Sequence, residues 1–251
     1  MTEIAAHRGG AALWPENSAA AFEGAARLGV EQVEFDVQLS ADGVPVVFHD
    51  ATLERMTDGA GPLAERTLAE LRTLRIKGDG GAILTLEQAL DILGPTTLTL
   101  RCEIKPGPDM IPYPGIVDRT LEAFARRGLL ERAVVTSFHL PTLGAVGASA
   151  SPPADRIWLV ATPVLRLLSH AHVAAAARRE GVGAVSIRLA DLDEVALAGL
   201  REAGLLVGAY AVLDDAEIAR ALGLGLTVFT TDRPDAALKL RDGVTQMARD
   251  R

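Results

Sequence analysis

Short apolar runs rich in β-branched residues alternate along the chain with longer stretches in which apolar residues recur at helical spacing. This alternation predicts repeated strand–helix units and a parallel sheet. We count eight units, with strands predicted at Ile4–His7, Gln32–Val37, Thr97–Ile104, Ala133–Ser137, Arg156–Ala161, Ala184–Ile187, Leu205–Tyr210 and Leu226–Thr230. A helix is predicted after each strand, from Asn17–Leu28 in the first unit to Asp235–Arg241 in the last.

Eight such units in 251 residues predict an α/β protein of the closed (β/α)₈ type, a TIM barrel. The alternative is an open doubly wound sheet, but no Gly-x-Gly-x-x-Gly follows the first strand. Residues 44–83 break the rhythm with an extra short strand, a glycine-rich turn and a small amphipathic helix. We therefore expect one domain over residues 1–251, with a small insertion after the second strand.

Composition narrows the class of protein. A net charge of -8 argues against nonspecific binding to nucleic acid or anionic membranes. No apolar stretch approaches the roughly 20 residues of a membrane-spanning helix, so we expect no stable membrane insertion. The N-terminal residues show neither a basic leader nor an apolar signal core, and the expected location is the cytoplasm. The single cysteine, Cys102, lies in an apolar run and is interpreted as a core residue.

Charged residues alternate with apolar ones on the second and third predicted strands, in "VEFDV" and "LRCEIKP". Since alternate residues of a barrel strand face its interior, Glu34, Asp36 and Glu103 are predicted to point inward together with Arg101 and Lys105. Carboxylates crowded at the carboxyl ends of neighbouring strands are costly unless a cation lies between them. Three oxygen ligands suit Mg²⁺ or Ca²⁺, so Glu34, Asp36 and Glu103 are predicted to bind a divalent cation.

Two histidines are expected at the same end of the barrel, where the strands have their carboxyl ends. His7 ends the first predicted strand beside Arg8, and His49 ends the extra strand. Imidazoles titrate near neutral pH, so one can accept a proton while the other donates one, as displacement at phosphorus requires. Their use as additional metal ligands is the alternative. The remaining histidines are interpreted as structural: His139, His170 and His172.

The segments "HRGG…PENSAAAF", "GVEQVEFDVQLSADGVPVVFHDATLERMTDGAG", "EIKP", "VVTSF" and "TTDRP", in this order, are similar to the glycerophosphodiester phosphodiesterase family over nearly the whole chain. The resemblance implies a TIM barrel with an insertion after the second strand, and release of sn-glycerol 3-phosphate and an alcohol from a small phosphodiester. It also implies His7 and His49 as the acid–base pair, Glu34, Asp36 and Glu103 as metal ligands, and Arg8 and Lys105 as phosphate contacts.

Some positions depart from the family pattern. Tyr210 and Leu213 stand where a tryptophan and an asparagine are common, Leu84 replaces a proline, and Arg101 is an unusual inward charge.

The attacking oxygen is either water or the glycerol 2-hydroxyl of the substrate. Two rival functions are a lysophospholipase D-type enzyme, which needs an apolar surface for an acyl chain, and a noncatalytic barrel. The insertion is not especially apolar, and no member of the charged set is missing.

Overall fold

The computed structural model describes residues 1–249, with side chains as far as residue 243. Nine strands lie in this part of the chain: β1 (Glu3–Ala6), β2 (Gln32–Leu39), β3 (Pro45–Val47), β4 (Thr99–Ile104), β5 (Ala133–Ser137), β6 (Asp155–Val160), β7 (Ala184–Arg188), β8 (Leu206–Val212) and β9 (Val228–Thr231). All except β3 run parallel to their neighbours, and β1 pairs with both β2 and β9. The eight parallel strands therefore close into a barrel, as predicted.

Helices cover the outside of the barrel. They are α1 (Ala19–Leu28), α2 (Leu68–Leu71), α3 (Leu86–Leu93), α4 (Ile116–Arg126), α5 (Leu140–Gly147), α6 (Thr162–Leu167), α7 (His170–Arg179), α8 (Glu194–Glu202), α9 (Asp215–Gly223) and α10 (Pro234–Arg249). Each connection between consecutive barrel strands includes a helix, and the connections from β2 to β4 and from β6 to β7 contain two each. The (β/α)₈ expectation is confirmed, whereas the open-sheet alternative is wrong because the sheet has no free parallel edge.

The main apolar core lies between the strands and the helices. On β2, Val33, Phe35 and Val37 face this layer, and Phe22 of α1 packs edge-on against Phe35 with ring centroids 5.7 Å apart. Cys102 is fully buried in the same layer, as expected for a core residue. Because strand side chains alternate, Glu34 and Asp36 are left facing the barrel interior.

The insertion after β2 has a core of its own. Strand β3 pairs antiparallel with the end of β2, and α2 follows after a long loop. A separate cluster of buried side chains holds this segment together: Val46, Phe48, Leu53, Leu63, Leu71, Ile76 and Ile83. Packed loops of this kind can carry functional side chains in fixed positions.

Several element ends differ from the predictions. Strand β1 ends at Ala6, and residues 7–9 form a single 3₁₀ turn rather than strand. Strand β3 ends at Val47, two residues before His49. Helix α1 begins at Ala19 because Ser18 is its N-cap, accepting a hydrogen bond from the Ala21 amide at 3.2 Å. Helix α10 runs well past Arg241, where the prediction ended.

Candidate active site

The turn after β1 positions His7 and Arg8 at the carboxyl end of the barrel. Arg8 has a φ of 49°, in the left-handed region that residues with a Cβ rarely adopt. This conformation points its backbone N–H at the Glu34 carboxylate, 2.9 Å from Oε2. The next residue, Gly9, lies against Ala21 of α1, where an added Cβ would be 2.6 Å from the Ala21 Cβ. Both features fix the turn against the second strand and the first helix.

Glu34, Asp36 and Glu103 meet inside the barrel. Asp36 and Glu103 are direct partners across β2 and β4, and each of the three residues offers a carboxylate oxygen within 4.8 Å of the others. All three are buried. Burial and the negative charges of Asp36 and Glu103 raise the pKa of Glu34. The crowding predicted from strand alternation is therefore present.

Two positively charged side chains lie among these carboxylates. Lys105 Nζ is 2.8 Å from Glu103 Oε1 and 3.1 Å from Asp36 Oδ1, and Arg8 Nε is 3.5 Å from Asp36 Oδ2. Burial opposes ionisation of Asp36, but the charges of Lys105, His49 and Arg8 hold its pKa well below the usual range. A further hydrogen bond at 2.8 Å comes from the Asn17 amide. Asp36 is thus an anion at neutral pH.

His49 is brought to the mouth by the side chain of Gln38. The Gln38 Nε2 lies within hydrogen-bond distance of three consecutive carbonyl oxygens, at 2.9 Å from Phe48, 3.1 Å from His49 and 2.8 Å from Asp50. The Tyr113 hydroxyl donates to the Gln38 carbonyl oxygen at 3.1 Å. A single buried amide on β2 therefore fixes the segment that follows β3.

The imidazole of His49 is oriented by an ion-pair chain. Its Nδ1 lies 2.6 Å from Asp50 Oδ1, and Asp50 in turn accepts from Arg55 Nε at 2.5 Å. Arg55 also binds both oxygens of Glu16, which pairs with Arg8 at 2.9 Å. The hydrogen bonds from Arg55 lower the pKa of Asp50 to about 2. Burial lowers the pKa of His49 more than the nearby charge of Asp36 raises it.

His7 is oriented from the opposite end of the chain. Its Nδ1 lies 2.5 Å from Oδ1 of Asp232, in the loop after β9. Burial alone would lower the pKa of His7, but the hydrogen bond to Asp232 and the charge of Glu34 outweigh it, and the pKa is raised. The pKa shifts of the two histidines therefore run in opposite directions, upward for His7 and downward for His49.

A cavity of about 230 Å³ opens over these residues. His7, Arg8, Glu34, His49, Glu103 and Lys105 all line one part of it. The rest of the wall is largely apolar and comes from later strands, with Phe138, Leu159, Tyr210 and Leu213. Tyr210 packs edge-on against Phe138 at 5.6 Å, and its hydroxyl donates to the Val160 carbonyl at 3.2 Å. Burial and the charge of Asp191 raise the pKa of Tyr210 to about 12.

Six of the seven site residues predicted from the sequence thus line one cavity, and the seventh, Asp36, is fully buried and pairs with Lys105 of the cavity wall. The other histidines lie outside this cavity: His139 and His172 interact with neighbouring hydroxyls, on Thr142 and Ser169. Sequence reasoning missed the roles of Glu16, Gln38, Asp50, Arg55 and Asp232. Each lies within or beside a quoted motif, but no local pattern indicates which partner a polar side chain will meet across the barrel.

In the part of the chain that the structure describes, no helix is both long and apolar enough to cross a membrane.

The chain matches the model of the glycerophosphoryl diester phosphodiesterase family over residues 7–236. A glycerophosphodiester phosphodiesterase of Bacillus altitudinis is 28% identical over 96% of this chain and 99% of its own length. One from Caldanaerobacter subterraneus is 37% identical over 55% of this chain and 58% of its own.

Two solved structures extend the likeness to the fold. A protein of Agrobacterium tumefaciens, provisionally named as a glycerophosphoryl diester phosphodiesterase, is 35% identical with a TM-score of 0.93, covering 98% of this chain and 99% of its own. An Oleispira antarctica phosphodiesterase in complex with its product sn-glycerol-3-phosphate is 25% identical with a TM-score of 0.79, covering 96% of this chain and 97% of its own. This chain therefore belongs to the glycerophosphoryl diester phosphodiesterase family.

Proposed function

We propose that this protein hydrolyses glycerophosphodiesters to sn-glycerol 3-phosphate and an alcohol, with His7 and His49 as the acid–base pair and with a divalent cation. The observation that carries the proposal is that both histidines line one cavity together with Glu34, Glu103, Arg8 and Lys105, and that Asp36 joins the two glutamates in a buried carboxylate cluster. A relative of the same fold binds sn-glycerol-3-phosphate as its product, which supports the choice of substrate class.

The carboxylates of Glu34, Asp36 and Glu103 suit a hard divalent cation, Mg²⁺ or Ca²⁺, because they supply oxygen atoms within 4.8 Å of one another in a buried setting. Such an ion would stabilise negative charge on the phosphate oxygens of the substrate. Neither histidine belongs to this cluster, and each has its Nδ1 occupied by an aspartate. Acid–base roles therefore fit the histidines better than metal ligation.

Arg8 and Lys105 are proposed to bind the phosphate. Both line the cavity, and each is paired with a carboxylate of the site. The guanidinium of Arg8 can donate two parallel hydrogen bonds to phosphate oxygens, whereas Lys105 supplies a compact charge. These contacts would hold the phosphate in the cavity that both imidazoles line and oppose the charge that develops during displacement.

The opposite directions of the two histidine pKa shifts support a division of roles. His49, with a lowered pKa, is neutral near pH 7 and accepts the proton of the attacking oxygen. His7, whose raised pKa favours retention of its proton, gives that proton to the departing alcohol oxygen as the P–O bond breaks. When water attacks, the product is sn-glycerol 3-phosphate directly. When the glycerol 2-hydroxyl attacks, a cyclic phosphate forms first and can be trapped.

A second candidate function is cleavage of lysophospholipids. The segments that follow the carboxyl ends of β4, β6 and β8 expose large apolar residues, of which Leu213 also lines the cavity: Met110, Ile111, Leu167, Leu168 and Leu213. These residues, rather than the insertion, favour contact with an acyl chain. A noncatalytic barrel is disfavoured, because every charged group of the site is retained and oriented.

The test is release of sn-glycerol 3-phosphate from glycerophosphocholine and glycerophosphoethanolamine, with Mg²⁺, with Ca²⁺ and after treatment with EDTA. We expect release that depends on the cation. If both diesters are left intact while lysophosphatidylcholine is cleaved, the second candidate replaces the first. Activity that is undiminished after EDTA would overturn the metal assignment. The cytoplasmic location expected from the sequence stays a prediction.

A further inference from the structure

Arg101 is a buried cation with no part in the mechanism above. It lies on β4 opposite Glu34, its side chain is only 1% exposed, and it lines the floor of the cavity. Its Nε donates to Gln32 Oε1 at 3.1 Å and its Nη1 to Thr230 Oγ1 at 3.2 Å. The remaining nitrogen, Nη2, has no hydrogen-bond partner among the described residues. Burying a guanidinium with an unsatisfied donor lowers the stability of the fold, so such a group points to a role in the site.

The position of Arg101 is built into the barrel. Gln32 and Thr230 are the two strand partners of Ala5, on either side of β1. The guanidinium therefore crosses the inner face of β1 at Ala5, where a single methyl group leaves room for it. His7 follows Ala5 by two residues and lines the cavity on the mouth side. Arg101 thus lies deeper in the barrel than His7, Asp36 and Glu103, and level with Glu34.

The charged groups around Arg101 indicate the role of its guanidinium. Glu34, Asp36 and Glu103 face Lys105 and Arg8, and Arg8 is shared with Glu16. Arg101 adds a third positive charge to the interior, and Glu34 is its strongest charged neighbour. A fixed positive charge in a low-dielectric interior repels a divalent cation and attracts a phosphate anion.

We propose that Arg101 is an electrostatic positioning residue, a resident cation that strengthens binding of the phosphate group and weakens binding of the divalent cation. The inference rests on the proposed function, since it concerns the same carboxylates and the same substrate. It implies that two ligands of opposite charge respond to Arg101 in opposite directions. A side chain that only maintains the fold would not produce that pattern, because its loss would weaken both ligands.

The test is calorimetric titration of the metal-free protein with MgCl₂ and, separately, with sn-glycerol 3-phosphate. Arg101→Met removes the charge at similar length, and Arg101→Gln is a second neutral variant that can still donate to Thr230. We expect Mg²⁺ to bind about tenfold more tightly and sn-glycerol 3-phosphate about tenfold more weakly in both variants. Arg101→Lys should resemble the wild type for both ligands.

A matched control is Arg156→Met. Arg156 is bound to the carbonyl oxygens of Leu143, Glu180 and Gly181, outside the cavity, and its loss should change neither affinity. Weaker binding of both ligands to the neutral Arg101 variants, or no change in either, would overturn the inference. If the wild type binds no Mg²⁺, the proposed metal site fails, and the response of sn-glycerol 3-phosphate alone then decides the role of Arg101.

Discussion

Nδ1 of His7 lies 2.5 Å from Oδ1 of Asp232, which joins the turn after the first barrel strand to the loop after the last. The aspartate raises the pKa of His7 against the effect of burial. Asp232→Asn removes this charge, so the pKa of His7 should fall and the proton of the general acid should be lost at lower pH. The alkaline limb of the kcat/KM profile should then move to lower pH, with activity at pH 8 reduced about tenfold or more.

The control for this prediction is Asp215→Asn, which removes the carboxylate partner of Arg233 outside the cavity. Its pH profile should match that of the wild type. An unshifted alkaline limb in Asp232→Asn would show that Asp232 does not set the proton affinity of His7.

Arg55 connects the insertion to both sides of the site. It binds Asp50, the partner of His49, and Glu16, the partner of Arg8. Arg55→Gln should lower kcat/KM about tenfold, because His49 and Arg8 each lose an indirect support, while circular dichroism shows an intact barrel. Arg66→Gln, which removes an exposed ion pair of the same insertion, should leave kcat/KM unchanged. Equal kinetics for the two variants would contradict the role given to Arg55.

The barrel and the inward set could be predicted because their signals are local. Strand alternation is enough to separate Glu34 from Phe35 and Glu103 from Cys102. The supporting groups could not be predicted in the same way: Gln38 appears as one more polar residue on β2, and its three carbonyl partners come from the chain beyond β3. The positive φ of Arg8 could not be predicted either, because nothing in "AAHRGG" indicates that the arginine adopts the left-handed backbone conformation.

The metal site should make stability depend on the cation. An ion present at 100 times its dissociation constant stabilises the folded state by about 2.7 kcal/mol if it does not bind the unfolded chain. Differential scanning fluorimetry with and without Mg²⁺ or Ca²⁺ should therefore show a higher Tm with the ion. Glu103→Gln should abolish the shift, whereas Glu70→Gln, in the exposed part of α2, should retain it. A full shift in Glu103→Gln would remove Glu103 from the ligand set.

Gly9 should be intolerant of any side chain. An added Cβ would lie 2.6 Å from the Cβ and 2.9 Å from the carbonyl carbon of Ala21, at a φ of 85°. Gly9→Ala should lower the free energy of unfolding in urea by about 2–4 kcal/mol, from steric overlap together with the left-handed backbone. Gly29→Ala has a similar φ of 77°, but no atom of the described residues lies within 4 Å of the new Cβ, so a loss of about 1 kcal/mol is expected. Equal costs at the two positions would contradict the packing argument.

The central claim is that His49 takes the proton of the attacking oxygen and His7 protonates the departing alcohol. The direct test is kcat/KM of wild type, His7→Ala and His49→Ala on glycerophosphocholine and on the p-nitrophenyl ester of glycerol 3-phosphate, whose leaving group needs no proton. His7→Ala should lose about 10²- to 10⁴-fold on glycerophosphocholine and recover most of it on the p-nitrophenyl ester, while His49→Ala should lose comparably on both. Equal losses of His7→Ala on both substrates, or near-full activity of either variant on glycerophosphocholine, would contradict the account.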